Sequence, residues 1–326
     1  MRKRVLSGMR PSGKLHLGHY IGVLVNWKKL QDEYDCFFFA ADWHALTTEY
    51  DRTEIIRDSI DDMIIDWMAS GIDPAKATLF IQSHVPEHAE LHLLLSMITP
   101  LPWLERNPTY KEQLREQTTR DLHTYGFLGY PVLQAADILM YDASLVPVGV
   151  DQVPHLELTR EIARRFNFLY RESFVIPEAY LTETPKLLGT DNRKMSKSFG
   201  NAILLSDTAE QVWEKVRPMV TDPARVRRTD PGNPEVCNVF SYHKIFSDPE
   251  TIAKVDVGCR TAGIGCIECK RWMFERMERV LRPVREERLR IVESGISVRD
   301  VLEAGTVNAR KVSAAKMTEV RDAVRI

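Results

Sequence analysis

The chain has 326 residues, 44% hydrophobic and 28% charged, enough to bury one or two cores. Its formal net charge is -2 and its pI about 6.5, which excludes a global basic field for nucleic acid, so any such surface must be a local patch. No run approaches the roughly 18 apolar residues of a membrane span. Gly8, Arg10 and Pro11 break the basic start MRKRVLSGMRP too early for a signal peptide, so a soluble, cytoplasmic protein is expected.

The first apolar run, Val5-Leu6, reads as a strand with a bend at Gly8. Pro11, Ser12 and Gly13 form a turn, and the spacing of Leu17, Tyr20, Ile21, Leu24 and Trp27 predicts a helix from Leu15 to Leu30. A helix N-terminus after such a turn gathers unpaired N–H groups and suits phosphate. His16 and His19, three apart, fall on one side of its first turn, and Gly18 between them leaves room for a flat ring such as a purine.

Asp35 to Ala41 is a strand-length apolar run of the kind buried on both faces of a parallel sheet. It ends in Asp42-Trp43-His44-Ala45-Leu46-Thr47, at the carboxyl end where ligands bind in open α/β sheets. A helix from Thr53 to Ser70, a strand from Ala77 to Gln82 and a helix from His88 to Met97 follow. This alternation predicts an α/β fold with a Rossmann-like parallel sheet. Thr99 to Asp121, broken by Pro100, Pro102 and Pro108, belongs to a helical insertion placed around 75–140.

Tyr130 to Met140 reads as a helix with Pro131 in its first turn. Asp137 lies in an otherwise apolar stretch and needs a partner, because burial without one costs several kcal/mol or shifts its pKa. An indole N–H would satisfy it, and so would a backbone N–H or a tyrosine of the chain itself. Val146 to Gln152 ends a strand with Gly149, Asp151 and Gln152, groups suited to a ribose. A helix spans His155 to Phe166, and 174–188 is irregular. The loop at 189–200 follows, carrying Lys194-Met195-Ser196-Lys197-Ser198, two lysines able to neutralise a leaving pyrophosphate. Beyond Ser206 the pattern is helical: Thr208 to Met219, Val239 to Phe246, Lys270 to Ser294, and Val298 to Arg325 interrupted near Gly305. Residues 1–205 then form the catalytic domain and 206–326 a separate helical one.

Cys36 sits in an apolar run and reads as a buried small hydrophobe. Cys237, Cys259, Cys266 and Cys269 form the pattern C-x21-C-x6-C-x2-C, the last two as a CxxC hairpin. Four intracellular thiolates fit tetrahedral zinc or a [4Fe–4S] cluster. Arg225-Val226-Arg227-Arg228 and Lys270-Arg271 are either local RNA contacts or solvated surface.

PSGKLHLGH with KMSKSFGN resembles the two signatures of class I aminoacyl-tRNA synthetases. Together with ADWHALT, YPVLQAADIL and PVGVDQ it resembles bacterial-type tryptophanyl-tRNA synthetases over almost the whole chain. The resemblance implies ATP with Mg²⁺, L-tryptophan and tRNA(Trp) as partners, and a homodimer. It implies that Asp137 recognises the indole, with Tyr130, His44 and Gln152 around the amino acid. ATP would lie across Arg10, Pro11, Ser12, Gly18 and His19, with Gly149, Val150, Asp151 and Gln152 at the ribose. Leu188 and Met195 would approach the adenine, and His16, His19, Lys194, Ser196, Lys197 and Ser198 the phosphates. The family often has Glu at Val150, Gln at Arg10 and Asn at His19. A subset carries a [4Fe–4S] cluster on cysteines spaced almost as here, in the anticodon-facing domain. A tyrosyl-specific relative or a non-catalytic, synthetase-like RNA-binding protein would share the two signatures.

Overall fold

A computed structural model describes residues 2–108, 110, 111, 114, 121–181 and 187–326. Five parallel strands, β1 (Arg4–Met9), β2 (Asp35–Ala40), β3 (Ala77–Ile81), β4 (Leu145–Val148) and β5 (Glu178–Leu181), form one sheet in the order 3-2-1-4-5. β2 runs through the middle of one half, and its side chains from Cys36 to Ala40 are all buried. The alternation of a pleated strand sends Cys36, Phe38 and Ala40 into one apolar cluster and Phe37 and Phe39 into the other, so helices cover both faces. Trp27 stacks on Phe38 with ring centroids 4.2 Å apart and meets the edge of Trp67 at 4.9 Å.

Chain order reverses between β1 and β4, so a crevice opens at the carboxyl ends of those strands. Gly8 lies within β1 rather than at a bend. A Cβ there would sit 2.5 Å from the Phe39 ring, so the glycine is demanded by that ring. The expected helix after the turn changes pitch: α1 (Leu17–His19) passes into a π turn (Tyr20–Leu24) and then α2 (Val25–Glu33). α3 (Asp42–Glu49), α4 (Glu54–Ala69), α5 (Glu87–Ser96) and α6 (Leu101–Glu105) follow. The helical insertion therefore begins after β3, which is itself a strand of the sheet. Part of it, 109, 112, 113 and 115–120, lies outside the described residues. α7 (Tyr125–Met140) starts before Tyr130, which puts Pro131 inside the helix rather than in its first turn. α8 (Val153–Leu169) precedes β5. That strand falls in the stretch expected to be irregular; it is a four-residue exposed edge strand directly after Pro177, so its short apolar run Ala179-Tyr180-Leu181 is hidden by the proline before it.

The helices after residue 206 are α9 (Ala209–Val216), α10 (Asn238–Phe246), α11 (Pro249–Arg260), α12 (Cys266–Glu293) and α13 (Val298–Val324). Their apolar core is continuous with that of the sheet: Met273, Met277, Leu281 and Leu302 share a cluster with Val5 and Trp27. Arg288 of α12 joins Asp62 at 2.7 Å and Asp66 at 3.1 Å on α4. α13 runs without the break expected at Gly305. That glycine lies against β3, where a Cβ would fall 1.8 Å from the Leu79 carbonyl oxygen, so it permits close approach rather than ending the helix. Among the described residues, no helix is long and apolar enough to cross a membrane.

Candidate active site

The crevice at the strand reversal holds a cavity of about 360 Å³. The ends of β1 and β4 form two walls, with Gly8, Met9 and Arg10 opposite Val148, Gly149 and Gln152. α7 supplies Tyr130, Gln134 and Asp137, α3 supplies His44, and His19 closes the far end.

Asp137 is 1% exposed yet borders this cavity. Its carboxylate faces three side chains from three different elements. His44 Nε2 lies 2.8 Å from Oδ2, His88 Nδ1 2.6 Å from Oδ1, and Gln82 Nε2 straddles both oxygens at 2.8 and 3.0 Å. Burial pushes the carboxyl pKa up, but the hydrogen bonds from His44 and His88 outweigh it and hold the group ionised, at about 2. His88 Nε2 is 2.8 Å from the Tyr141 hydroxyl, so the imidazole donates to the carboxylate and accepts from the phenol. A carboxylate offers about four lone-pair positions. Three donors already make four contacts with it, Gln82 being shared between both oxygens, so an N–H arriving from the cavity would compete with that shared contact. The partners are thus side chains, not the backbone amide or tyrosine that helix position alone suggests.

Gln82, His88 and Tyr141 were not among the residues singled out from sequence. Gln82 follows β3 directly, at the same carboxyl edge that marked His44, and that position was the available signal. Tyr130 Oη lies 2.9 Å from His155 Nε2, and His155 Nδ1 lies 3.0 Å from Asn107. Arg10 donates to the Thr48 hydroxyl on α3, which aims its guanidinium along the cavity.

At the other end, the imidazoles of His16 and His19 cap their own helix. His16 Nδ1 accepts from Gly18 N–H at 3.1 Å, and His19 Nδ1 accepts from His16 N–H at 3.2 Å. An Nδ1 that accepts is unprotonated, so a neutral ring carries its proton on Nε2. Burial, then the charge of Lys197, lowers His16 to about 4. Burial, then His16 and Lys197, lowers His19 to about 3. Both rings are neutral donors at physiological pH. A Cβ on Gly18 would meet the His16 ring at 3.0 Å, with Met195 Sδ beyond at 3.8 Å, so the bare backbone there faces these side chains.

The lysine loop lies across this turn. Lys197 Nζ donates to the Ser12 carbonyl, and its burial lowers the ammonium pKa. Leu188 bridges Lys194 at the base of the loop, and Ser196 N–H donates to Asn201 Oδ1 at 2.8 Å. The early turn and the late loop therefore share one face. Pro11 is buried, Ser12 half-buried and the Lys194 side chain exposed. Met195 is buried against the core, and neither it nor Leu188 borders the cavity. Val150 is 78% exposed and does not border it. The side chains of Asp151 and Ser198 lie outside the described residues.

The four late cysteines converge: Cys269 feels Cys237, Cys259 and Cys266 electrostatically, and burial followed by these three raises its thiol to about 12. Burial also raises Cys237 and Cys259. Cys266 and Cys269 occupy the first turn of α12 rather than a hairpin. Among the described residues, no three His, Cys, Asp or Glu side chains are arranged to hold a metal ion. Half-buried Arg225 is tied to the Ile264 carbonyl at 2.6 Å, and buried Lys270 to the Arg217 carbonyl at 2.7 Å, so both are engaged by the chain's own backbone. Arg227 and Arg228 stay exposed.

A reversing parallel sheet whose crevice ends at a histidine turn, with a lysine loop laid across that turn, has the build of a nucleotide-dependent synthetase. Residues 1–282 match the family of class I tRNA synthetases for W and Y, and the chain belongs to that family. Over 99% of both chains it is 55% identical to the tryptophan–tRNA ligase of Thermotoga maritima. It is 46% identical to that of Aquifex aeolicus, covering 99% of this chain and 100% of the relative. Its fold is similar to the tryptophanyl-tRNA synthetase of Campylobacter jejuni complexed with ADP and tryptophan, at TM-score 0.86 and 33% identity, covering 99% of this chain and 100% of that one. Within the family it falls among the bacterial-type tryptophan–tRNA ligases.

Proposed function

We propose that the chain activates L-tryptophan with Mg²⁺-bound ATP and transfers the aminoacyl group to the 3′-terminal ribose of tRNA(Trp). The observation that carries this reading is the ionised Asp137 bordering the 360 Å³ cavity, where an incoming N–H could take over the contact that Gln82 shares between both oxygens. An indole N–H satisfies that acceptor, whereas an amino acid with no group there leaves a buried carboxylate under-coordinated and is rejected without editing. Tyr130 and Gln152 are suited to the ammonium group, and His44 closes the indole side.

ATP lies across Arg10, Pro11, Ser12, Gly18 and His19, with its ribose at Gly149 to Gln152 and its adenine towards Leu188 and Met195. The tryptophan carboxylate oxygen attacks the α-phosphorus in line, and the bond to the β-phosphate bridging oxygen breaks to release pyrophosphate. A ribose hydroxyl of tRNA then attacks the mixed-anhydride carbonyl, and AMP departs. The neutral Nε2–H groups of His16 and His19, with Lys194 and Lys197, stabilise charge on the phosphates, so the rate arises from orientation and electrostatics.

For the cysteines we favour a [4Fe–4S] cluster held by Cys237, Cys259, Cys266 and Cys269, with zinc as the runner-up. Supporting it are four converging cysteines, of which Cys269 has its thiol raised to about 12 by burial and then by the charge of the other three, a donor set that a metal charge would relieve. Bound there, the group would cross-link the starts of α10 and α12 to the end of α11. An anaerobic preparation is expected to be brown and to contain iron and sulfide; a colourless protein with one zinc overturns this. A homodimer is supported by exposed Leu93, Met97 and Leu101 on neighbouring helices. The cytoplasm is the compartment in keeping with free thiols. ATP–pyrophosphate exchange tests the enzymatic reading: tryptophan supports it and tyrosine does not, whereas equal exchange favours a relaxed or tyrosyl-specific enzyme.

A further inference from the structure

The nine-residue helix α10 stands between the cysteines and the lysine loop and is tied to both. On the loop side, Asn238 Nδ2 donates to the Gly189 carbonyl at 2.7 Å and the Tyr242 hydroxyl to the Leu188 carbonyl at 2.6 Å. These two side chains are four residues apart and so share a helix face; both are almost fully buried. Leu188 and Gly189 are the root of the loop, since Leu188 bridges Lys194 and Gly189 N–H donates to the Arg193 carbonyl at 2.7 Å. On the other side, Cys237 is the residue that caps α10, its carbonyl accepting from Phe240 at 3.1 Å and Ser241 at 3.3 Å. His243 reaches Cys269, with Nε2 3.2 Å from its carbonyl oxygen and 3.5 Å from its sulfur.

We propose that Asn238 and Tyr242 are positioning residues that anchor the root of the lysine loop, and that the cysteine site sets the placement of their helix through Cys237 and His243. The proposal rests on the reading in which Lys194 and Lys197 meet the phosphates of ATP. It adds a physical route, one short rigid helix, from thiol chemistry in the helical region to the step that uses ATP. Loss or modification of the cysteine site then weakens ATP use and leaves the tryptophan pocket untouched.

The test uses the full chain. Tyr242→Phe keeps the ring in the core and deletes only the hydroxyl. It is expected to raise the KM for ATP in pyrophosphate exchange about three- to tenfold, with tryptophan affinity unchanged. Hydrogen–deuterium exchange over residues 187–201, measured without ATP, is expected to quicken in Tyr242→Phe, Asn238→Asp and Cys269→Ser. Should Cys269→Ser fold poorly, Cys266→Ser takes its place. Unchanged exchange over 187–201 in Tyr242→Phe overturns the anchoring role. A cysteine variant that loosens only 225–275 overturns the link. Because deuterium uptake needs no catalysis, a wild-type chain inactive with tryptophan would count against the enzymatic reading alone.

Discussion

The two ends of the crevice, which the proposed function assigns to the indole and the phosphates, are built on opposite plans. At the indole end, Asp137 is locked by His44, Gln82 and His88 from three elements, and the network continues to Tyr141. At the phosphate end, His16 and His19 are fixed to their own backbone, but the lysines arrive on a loop whose Lys194 is exposed. A rigid, water-excluded acceptor favours discrimination, because its geometry costs nothing to assemble when the ligand arrives. A loop that closes over a triphosphate favours chemistry gated by ATP. In the proposed reading, specificity resides in the packed interior and ATP chemistry in the lysine loop.

That contrast predicts separable failures. Asp137→Ala breaks the rigid end and is expected to lower kcat/KM for tryptophan by about 10³-fold, since it removes the acceptor and orphans its buried donors; pyrophosphate exchange measures it. Lys197→Ala breaks the movable end. Its expected effect is a fall in kcat of about 10²-fold with tryptophan affinity intact, read by exchange kinetics and equilibrium binding. Gly305→Ala touches neither end but forces α13 off β3, and thermal unfolding should show a loss of about 2–3 kcal/mol.

A further effect is electrostatic. The unfolded chain protonates His16 and His19 near pH 6.5, whereas the folded chain resists until about 4 and 3. Their contribution to stability is therefore full above pH 6.5 and declines as the pH drops towards 4 and below. Urea midpoints between pH 7 and 4.5 should fall less steeply in His19→Gln than in the wild type.

Much of this architecture was legible because it is local. The β2 run is buried on both faces and reads as such, and the turn before Leu17 carries its own breakers. What sequence concealed depends on distant contacts. β5 follows Pro177 at an edge, and its four residues are all exposed. Gly305 reads as a helix breaker until β3 is seen against it. Asp137 advertised its need for a partner, but donors lying 93, 55 and 49 residues away could not be read from periodicity. The CxxC pair looked like a hairpin because spacing does not say whether a helix starts at the first cysteine.

The acceptor role of Asp137 is tested most directly by a substrate lacking only the indole N–H. Tryptophan and its benzothiophene isostere, with sulfur in place of that N–H, should be compared in pyrophosphate exchange by wild type and Asp137→Ala, which leaves no acceptor at that position. The account predicts a preference for tryptophan of about 10²-fold in the wild type, largely lost in the variant. Equal use of both substrates by the wild type would contradict it.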